Sequence, residues 1–242
     1  MERRYTSIEM QQFWVGLIDS DGSVQCNHWR KKYMQYRIVI KMHINNLEML
    51  ESIREHLGGS VRVLKTNECV WVEDHQRRIW KLCSIFDRFP PLTTRVRCQI
   101  AFMKECILRK NVLWYLKNRE NKYVHRDVVA KEITAKKITS LHYFPLWCSG
   151  FITGEGCFCI RSPSQDGKKG VKSFSIAQKH DFYLIESIRE YFSGINPVRK
   201  LKSEMYLWKV YRCEVLENVI AHCDRYPLLG KKRMQFDLFK EK

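Results

Sequence analysis

Trp14-Val15-Gly16-Leu17-Ile18-Asp19-Ser20-Asp21-Gly22 and Cys148-Ser149-Gly150-Phe151-Ile152-Thr153-Gly154-Glu155-Gly156 are two versions of one segment. Each is an apolar run with a glycine about one turn before its end, then a small residue, a carboxylate and a second glycine. The interval from Gly16 to Gly150 is the same as that from Asp21 to Glu155. The echo continues downstream. ESIRE at Glu51–Glu55 returns at Glu186–Glu190, and DRFPPL at Asp87–Leu92 is answered by DRYPLL at Asp224–Leu229, each after nearly that same interval. One such match is easily chance. Three landmarks in the same order, with offsets that drift only slightly, mark a tandem duplication.

The first copy predicts a helix over Ile8–Ser20, ended by Asp21-Gly22, and then two β-rich runs, Ser23–Trp29 and Tyr33–His43, joined by the basic turn Arg30-Lys31-Lys32. A helix follows over Leu47–Leu57, with Leu47, Leu50, Ile53 and Leu57 at helical spacing and Gly58-Gly59 to stop it. Val61–Leu64 and Cys69–Val72 predict a second strand pair, and Ile79–Phe89 and Gln99–Leu116 two further helices. The order describes an α+β unit with an antiparallel sheet. The second copy repeats it from about Pro145 to Phe239. The expected organisation is therefore residues 1–116 as one half, 117–141 as a basic linker and 142–242 as the other half. Between the halves, Arg109–Ser140 holds nine Lys or Arg against three acids. Such a run is either a solvated connecting helix or a tether that also touches phosphates.

Charge and composition narrow the partners. The 242 residues carry 43 Lys or Arg against 26 Asp or Glu, a net +17, and 45 % are apolar, enough to build cores. Cationic residues are spread along the chain and interleaved with aromatic ones, which favours an extended nucleic-acid surface over a membrane tag. No run approaches 18 apolar residues, so no bilayer span is expected. The start, MERRYTSIEMQQF, lacks the apolar core of a presequence, which points to an organellar gene product (mitochondrion before chloroplast) or a prokaryotic cytoplasmic one. Ten cysteines without a CxxC pair are expected to be reduced thiols packed as small hydrophobes.

The paired acids carry the chemistry. Helices that cross at Gly16 and Gly150 bring Asp21 and Glu155 side by side. Like charges so close are unfavourable unless divalent cations occupy the site, and paired carboxylates on a cationic protein suit metal-assisted phosphodiester hydrolysis. A turn tolerates Asn or Ser; an acid kept in both copies, as Asp in one and Glu in the other, suits a metal better.

These two segments resemble the LAGLIDADG motifs of homing endonucleases, in the monomeric form with two motifs in one chain. Residues 14–22 match closely and 148–156 more loosely, and the duplicated halves fit the family's αββαββα repeat over nearly the whole chain. The resemblance implies a pseudo-twofold saddle, with the motif helices at its centre and two antiparallel sheets in the major groove of a long double-stranded target. It implies cleavage of both strands across the minor groove, leaving short 3′ overhangs, with Mg²⁺ as cofactor (Mn²⁺ or Ca²⁺ substituting in binding). Asp21 and Glu155 would hold the metals with the carbonyls of Ser20 and Gly154; Asp19, matched by Thr153, would not be a required ligand. Family sites also carry a peripheral basic residue and a residue that orders water. Lys232 fits the first role, with Lys231 its competitor or a phosphate contact. The other half has no lysine there: Arg95 takes the position if Pro90 is matched to Pro227, and Val96 if Pro91 is. Gln178 fits the second role, with His43 in its place in the first half.

Alternation along the strands nominates the DNA-reading residues. They are Gln25, Asn27 and Trp29 on the first strand, Arg37 and Lys41 on the second and Arg62 on the third. Arg161, Ser173, Ser175 and Arg199 follow in the second half, beyond a long SPSQDGKKG loop. Gln and Asn make bidentate contacts with adenine, which places Gln25 and Asn27 first. An intron maturase that binds host intron RNA on the same fold, and a non-catalytic DNA-binding regulator, are the alternatives. Both acids argue for the nuclease, and the duplication for a monomer.

Overall fold

The computed structural model describes residues 5–161 and 170–241, which leaves most of the expected SPSQDGKKG loop outside the described residues. Helix α1 (Ser7–Ser20) opens with a capping box: Glu9 N donates to Thr6 Oγ1, and Thr6 N to the Glu9 carboxylate. Met10, Phe13, Trp14, Val15, Leu17 and Ile18 are all buried, so this helix is apolar nearly all round and belongs in the interior. Helix α7 (Phe144–Glu155), with Pro145 in its first turn, is its counterpart.

The two helices cross backbone to backbone. A β-carbon added to Gly16 would overlap the Trp147 carbonyl and lie 2.9 Å from Phe151 N; one added to Gly150 would overlap the Phe13 carbonyl and lie 2.9 Å from Leu17 N. Phe13 and Trp147 are separated by the same interval as the two glycines, so each glycine meets the counterpart of what the other meets. The crossing is an approximate twofold axis.

Each half hangs one sheet on that axis. Strands β1 (Gly22–Trp29), β2 (Tyr33–His43), β3 (Ser60–Leu64) and β4 (Glu68–Glu73) form an antiparallel sheet in the order β1-β2-β4-β3. Strands β5 (Cys157–Arg161), β6 (Val171–Lys179), β7 (Arg199–Lys200) and β8 (Met205–Val210) repeat it as β5-β6-β8-β7. Helices α2 (Leu47–Leu57) and α3 (Gln76–Arg88) belong to the first half, α8 (Phe182–Tyr191) and α9 (Cys213–Arg225) to the second. One continuous core joins them, in which Trp14 stacks on Phe86 at 4.9 Å and meets Trp71 edge-on, while Trp147 stacks on Phe151.

Most expected elements appear within a few residues, with two differences. The single helix expected over Gln99–Leu116 is two, α4 (Thr94–Arg109) and α5 (Val112–Asn118). Lys110 turns left-handed (φ 49°) and Asn111 caps the new helix by accepting from Trp114 N, so the apolar pattern runs on through a real break. The basic linker takes the connecting-helix form of the two expected, packed on the fold rather than wholly solvated. It contains helix α6 (Arg126–Thr134), which packs against α4 and buries Ile133; Ile138 beyond the helix is buried too, and before it Gln99 Nε2 donates to Tyr123 Oη at 2.9 Å. Helix α10 (Gly230–Glu241) ends the described chain. All ten cysteines are free thiols, six of them buried.

Candidate active site

The C-terminal ends of α1 and α7 bring the two motif carboxylates together. Asp21 caps α1, its N–H bonded back to Leu17 and Ile18, and Glu155 is the last residue of α7. The helix ends touch: a β-carbon on Gly154 would overlap the Ser20 side chain and sit 2.7 Å from Asp21 Oδ2. Burial, and after it the Asp21 charge, pushes the Glu155 carboxyl up to about 7. Asp21 stays open to solvent, yet the protein around it desolvates the carboxyl and raises it too, against the pull of Lys232 and Arg95. Two acids held in mutual repulsion, with cations beside them, are a place where a divalent ion is favoured.

The two basic residues occupy equivalent positions. Lys232 Nζ donates to the Gly156 carbonyl, and Arg95 Nη1 donates to the Gly22 carbonyl at 2.6 Å. Gly22 and Gly156 follow the two acids, so the structure matches Pro90 with Pro227 and puts Arg95 in the basic position. Val96 is fully buried, and Lys231 is exposed. Burial lowers the Lys232 ammonium. The two hands grip differently. Arg95 Nη2 also reaches the carbonyls of Asp19 (2.8 Å), Ser20 (3.1 Å) and Ile18 (3.2 Å), so its guanidinium spans the last turn of α1. The Ser20 carbonyl expected to face a metal is thus shared with Arg95.

Asp19 is a strut. Fully buried, it accepts from Leu92 N (2.6 Å), Thr93 N (3.2 Å), Thr93 Oγ1 and Trp147 Nε1 (2.8 Å). Thr153, its counterpart, returns its hydroxyl to Ser149 O in its own helix. Neither side chain is left to bind an ion.

Sequence reasoning missed a set of bonds between the halves. Thr94 N and Oγ1 donate to the Asp181 carboxylate at 3.0 and 2.6 Å, and Lys231 N donates to Asn46 Oδ1 at 2.9 Å. Tyr143 Oη donates to Pro90 O at 2.7 Å and Tyr5 Oη to Pro227 O. Asn46 and Asp181 are separated by the same interval as the two ESIRE copies, and each stands just before the helix that carries one. That matched pair of polar residues was the available signal.

The pairing of His43 with Gln178 is corrected. Strand register matches β2 to β6 at an interval one longer than that of the ESIRE copies. Val24 pairs with Ile38 and its counterpart Phe158 with Phe174, while Ile40 and Ile176 pair with Trp71 and Trp208. The ESIRE interval does not hold in the strands, because the second half has one residue fewer between strand and helix. Gln178 is therefore the counterpart of Met42, and His43 of Lys179. One residue of slip changes the face. Gln178 lies on the core side with Phe174 and Ile176, 7 % exposed. His43 faces outward, its Nδ1 accepting from Asn45 N and its Nε2 facing Asn67 Nδ2 at 3.3 Å. The two do not form an equivalent pair.

The nominated DNA readers do share outward faces. In the first sheet Gln25 lies opposite Arg37, Lys41 and Arg62 flank Val70, and Asn27 and Trp29 continue toward the hairpin tip; all six are exposed. Lys41 is drawn to Glu68 at 2.7 Å. In the second sheet Arg161, Ser173, Ser175 and Arg199 lie on one face, but Ser173 is only 3 % exposed and offers no surface for a base. Lys209, opposite Ser175, and Gln35, opposite Asn27, belong to these faces and were overlooked, although the alternation Leu207-Trp208-Lys209-Val210 displays Lys209.

Among the described residues no three His, Cys, Asp or Glu side chains gather to hold a metal. One carboxylate from each motif, with backbone, water and phosphate oxygens completing the shell, is an ordinary setting for Mg²⁺ and fits the residues present. No described helix is long and apolar enough to cross a membrane.

The profile of the family described as "LAGLIDADG endonuclease" matches residues 14–106 and 148–242. A "Probable intron-encoded endonuclease aI3" of Dictyostelium citrinum is 36 % identical over 250 residues, covering 99 % of this chain and 97 % of that one. Among solved structures, the homing endonuclease I-GzeII in complex with its DNA target aligns over 96 % of this chain and 88 % of its own, at 21 % identity and a TM-score of 0.73. I-SmaMI, bound to uncleaved DNA in the presence of calcium ions, aligns over 96 % and 89 % at 19 % identity, also with a TM-score of 0.73. With two profile matches, one per copy of the duplicated unit, and the crossed motif helices between them, the chain belongs to the LAGLIDADG endonuclease family.

Proposed function

We propose that this chain is a monomeric, site-specific double-strand DNA endonuclease, in which Asp21 and Glu155 hold divalent cations, Mg²⁺ foremost. The observation that carries the proposal is the junction of α1 and α7, where two acids from two copies of one unit meet, both are raised by burial, and the Asp21 charge adds to the cost of ionising Glu155. A bound cation relieves that repulsion, activates water and stabilises the charge that builds on the phosphate. The chain's own residues do the rest. Asp21 and Glu155 would hold the ions, with the Gly154 carbonyl as a further oxygen donor. Arg95 and Lys232 hold positive charge at the edges of the site. The outward faces of the two sheets seat the major groove on either side, led by Gln25, Asn27, Arg37, Lys41 and Arg62 in the first half and Arg161, Ser175 and Arg199 in the second, with Trp29 at the hairpin tip and Lys231 on a phosphate. The axis through the helices then faces the minor groove, and cuts on its two sides leave short 3′ overhangs. The intron-encoded relative supports an allele lacking the intron as target, and we place the chain in the mitochondrion.

The test is cleavage of DNA that spans the intron-insertion site of the host gene, with Mg²⁺ and then with EDTA. A metal-dependent double-strand cut, lost in Asp21→Asn and Glu155→Gln while the duplex is still bound, is expected. A cut that persists in both variants overturns the assignment of the acids.

A further inference from the structure

We infer that each half of the chain positions the basic catalytic residue of the other: Asn46 of the first half sets Lys232, and Asp181 of the second half sets Arg95. The inference rests on the endonuclease reading of the site. It starts from where the two basic residues stand. Arg95 is the second residue of α4, and Lys232 the third of α10. In each case the residue immediately before the basic one sends its backbone N–H across the molecule, Thr94 to Asp181 at 3.0 Å and Lys231 to Asn46 at 2.9 Å. The acceptors occupy the same place in their own halves, and both are buried, Asn46 5 % exposed and Asp181 1 %.

Helix starts have N–H groups with no partner inside the helix, so an acceptor fixed from outside decides where the first turn lies. Here that turn carries the side chain that reaches the carbonyl next to each acid: Arg95 to Gly22, beside Asp21, and Lys232 to Gly156, beside Glu155. Gly230 shows how close the clasp is. It sits at φ +60°, and a β-carbon there would lie 2.5 Å from Asn46 Oδ1. In the first half the counterpart of Gly230 is Thr93, which caps α4 itself by accepting from Val96 N at 3.3 Å. Glycine has no side chain to do this, so the start of α10 depends on Asn46 more than the start of α4 depends on Asp181. The reciprocal clasp couples the two active sites through the dyad. A disturbance in one half is expressed as slower chemistry in the other.

The experiment is single-turnover cleavage of a duplex whose strands carry different end labels, so that the two nicks are timed separately. Lys232→Met and Arg95→Met first identify which strand each site cuts. Asn46→Ala is then expected to slow the Lys232 strand about tenfold while the other strand keeps its rate. Asp181→Ala slows the opposite strand by a smaller factor. Asn46→Asp restores part of the ratio, because a carboxylate oxygen accepts the same N–H but cannot replace the Asn46 Nδ2 bond to the His43 carbonyl, and Asp181→Asn likewise restores part of it. A loss of folded protein scales both strands alike and cannot move the ratio. Amide exchange gives a second readout that needs no cleavage: residues 230–234 exchange faster in Asn46→Ala and residues 94–98 in Asp181→Ala. The inference is overturned if the wild-type chain cuts DNA yet both Ala variants leave the strand ratio unchanged, or if exchange at the two helix starts stays as in wild type. Absence of any cut by the wild-type chain, with faster exchange in the variants, instead removes the endonuclease reading and leaves the clasp standing.

Discussion

The two halves have the same strand order and meet at matched glycines, yet their outward faces have little in common. The first sheet presents Gln25, Asn27, Gln35, Arg37, Lys41 and Arg62, long side chains able to reach base edges and phosphates. The second presents Cys157, Cys159, Ser175 and Ala177, with Arg161, Lys179, Arg199 and Lys209 around them. Small residues let DNA approach the sheet closely but read little directly. Duplication has kept what the shared geometry needs, namely the glycines at the crossing and an acid at each helix end. The outward faces of the two sheets have diverged. On the proposed endonuclease reading, that contrast predicts an asymmetric target site.

The strongest test of what stayed equal is the acid pair. Asp21→Asn and Glu155→Gln should each lower double-strand cleavage by about a thousandfold or more, with duplex affinity nearly unchanged in Ca²⁺ gel shifts. Markedly unequal losses would show that the halves diverged at the metal site too. The basic residues come next, and here the halves should differ. Arg95→Met removes a donor from four carbonyls at once and should cost about 2–3 kcal/mol of folding stability in denaturant titrations. Lys232→Met, which frees a single carbonyl, should cost about 1 kcal/mol. Equal costs would mean that the wider grip of Arg95 contributes nothing.

Much of this contrast was legible in the chain itself, and each failure has a physical cause. Residues 14–22 and 148–156 located the central helices, and alternation in Ser23–Trp29 found the outward face without error. His43 and Gln178 are separated by the interval of the ESIRE helices, which is wrong by one in the strands, because one residue fewer stands before α8. Helix repeats tolerate such a slip; strands do not, since one residue exchanges core for surface. Ser173 follows the correct alternation and is still buried, because period fixes a face and not what covers it. The bonds from Asp181 and Asn46 span 87 and 185 residues, beyond any local pattern.

The repulsion at the site also has a pH signature. Glu155 is raised from 4.5 to about 7, so its proton is held more tightly in the folded chain than in the unfolded one. The stability this contributes is complete below pH 4.5 and is lost as pH rises through 7. In EDTA, wild-type protein should lose on the order of 2 kcal/mol over that window, after allowance for partial exposure, while Glu155→Gln loses much less. Asp21→Asn removes the neighbouring charge and should shrink the loss without abolishing it, since burial is the larger cause. Calorimetric melts between pH 5 and 8 check both, and an unchanged slope in Asp21→Asn would mean that the two acids do not feel each other.

The smallest expected effect concerns the outward faces. Gln25 and Asn27 stand on β1 where bidentate contact with adenine is possible, so replacing either by Ala should relax preference at one or two base pairs by about 1–2 kcal/mol. Ser175→Ala in the second sheet should change preference by no more than about 0.5 kcal/mol, because a short hydroxyl makes at most a single, partly solvated bond there. Cleavage of a randomised target library by the three variants would map the affected positions. If Ser175→Ala relaxes its half of the target as much as Gln25→Ala relaxes the other, the small-residue face reads bases as directly as the long-residue one, and the asymmetry between the sheets is one of appearance. If instead the second half-site stays specific while no single substitution on its face disturbs it, preference there must come from the shape and bending of DNA against a close, smooth sheet. The size of the effect at Ser175 therefore decides which kind of recognition each half of the duplicated unit has adopted.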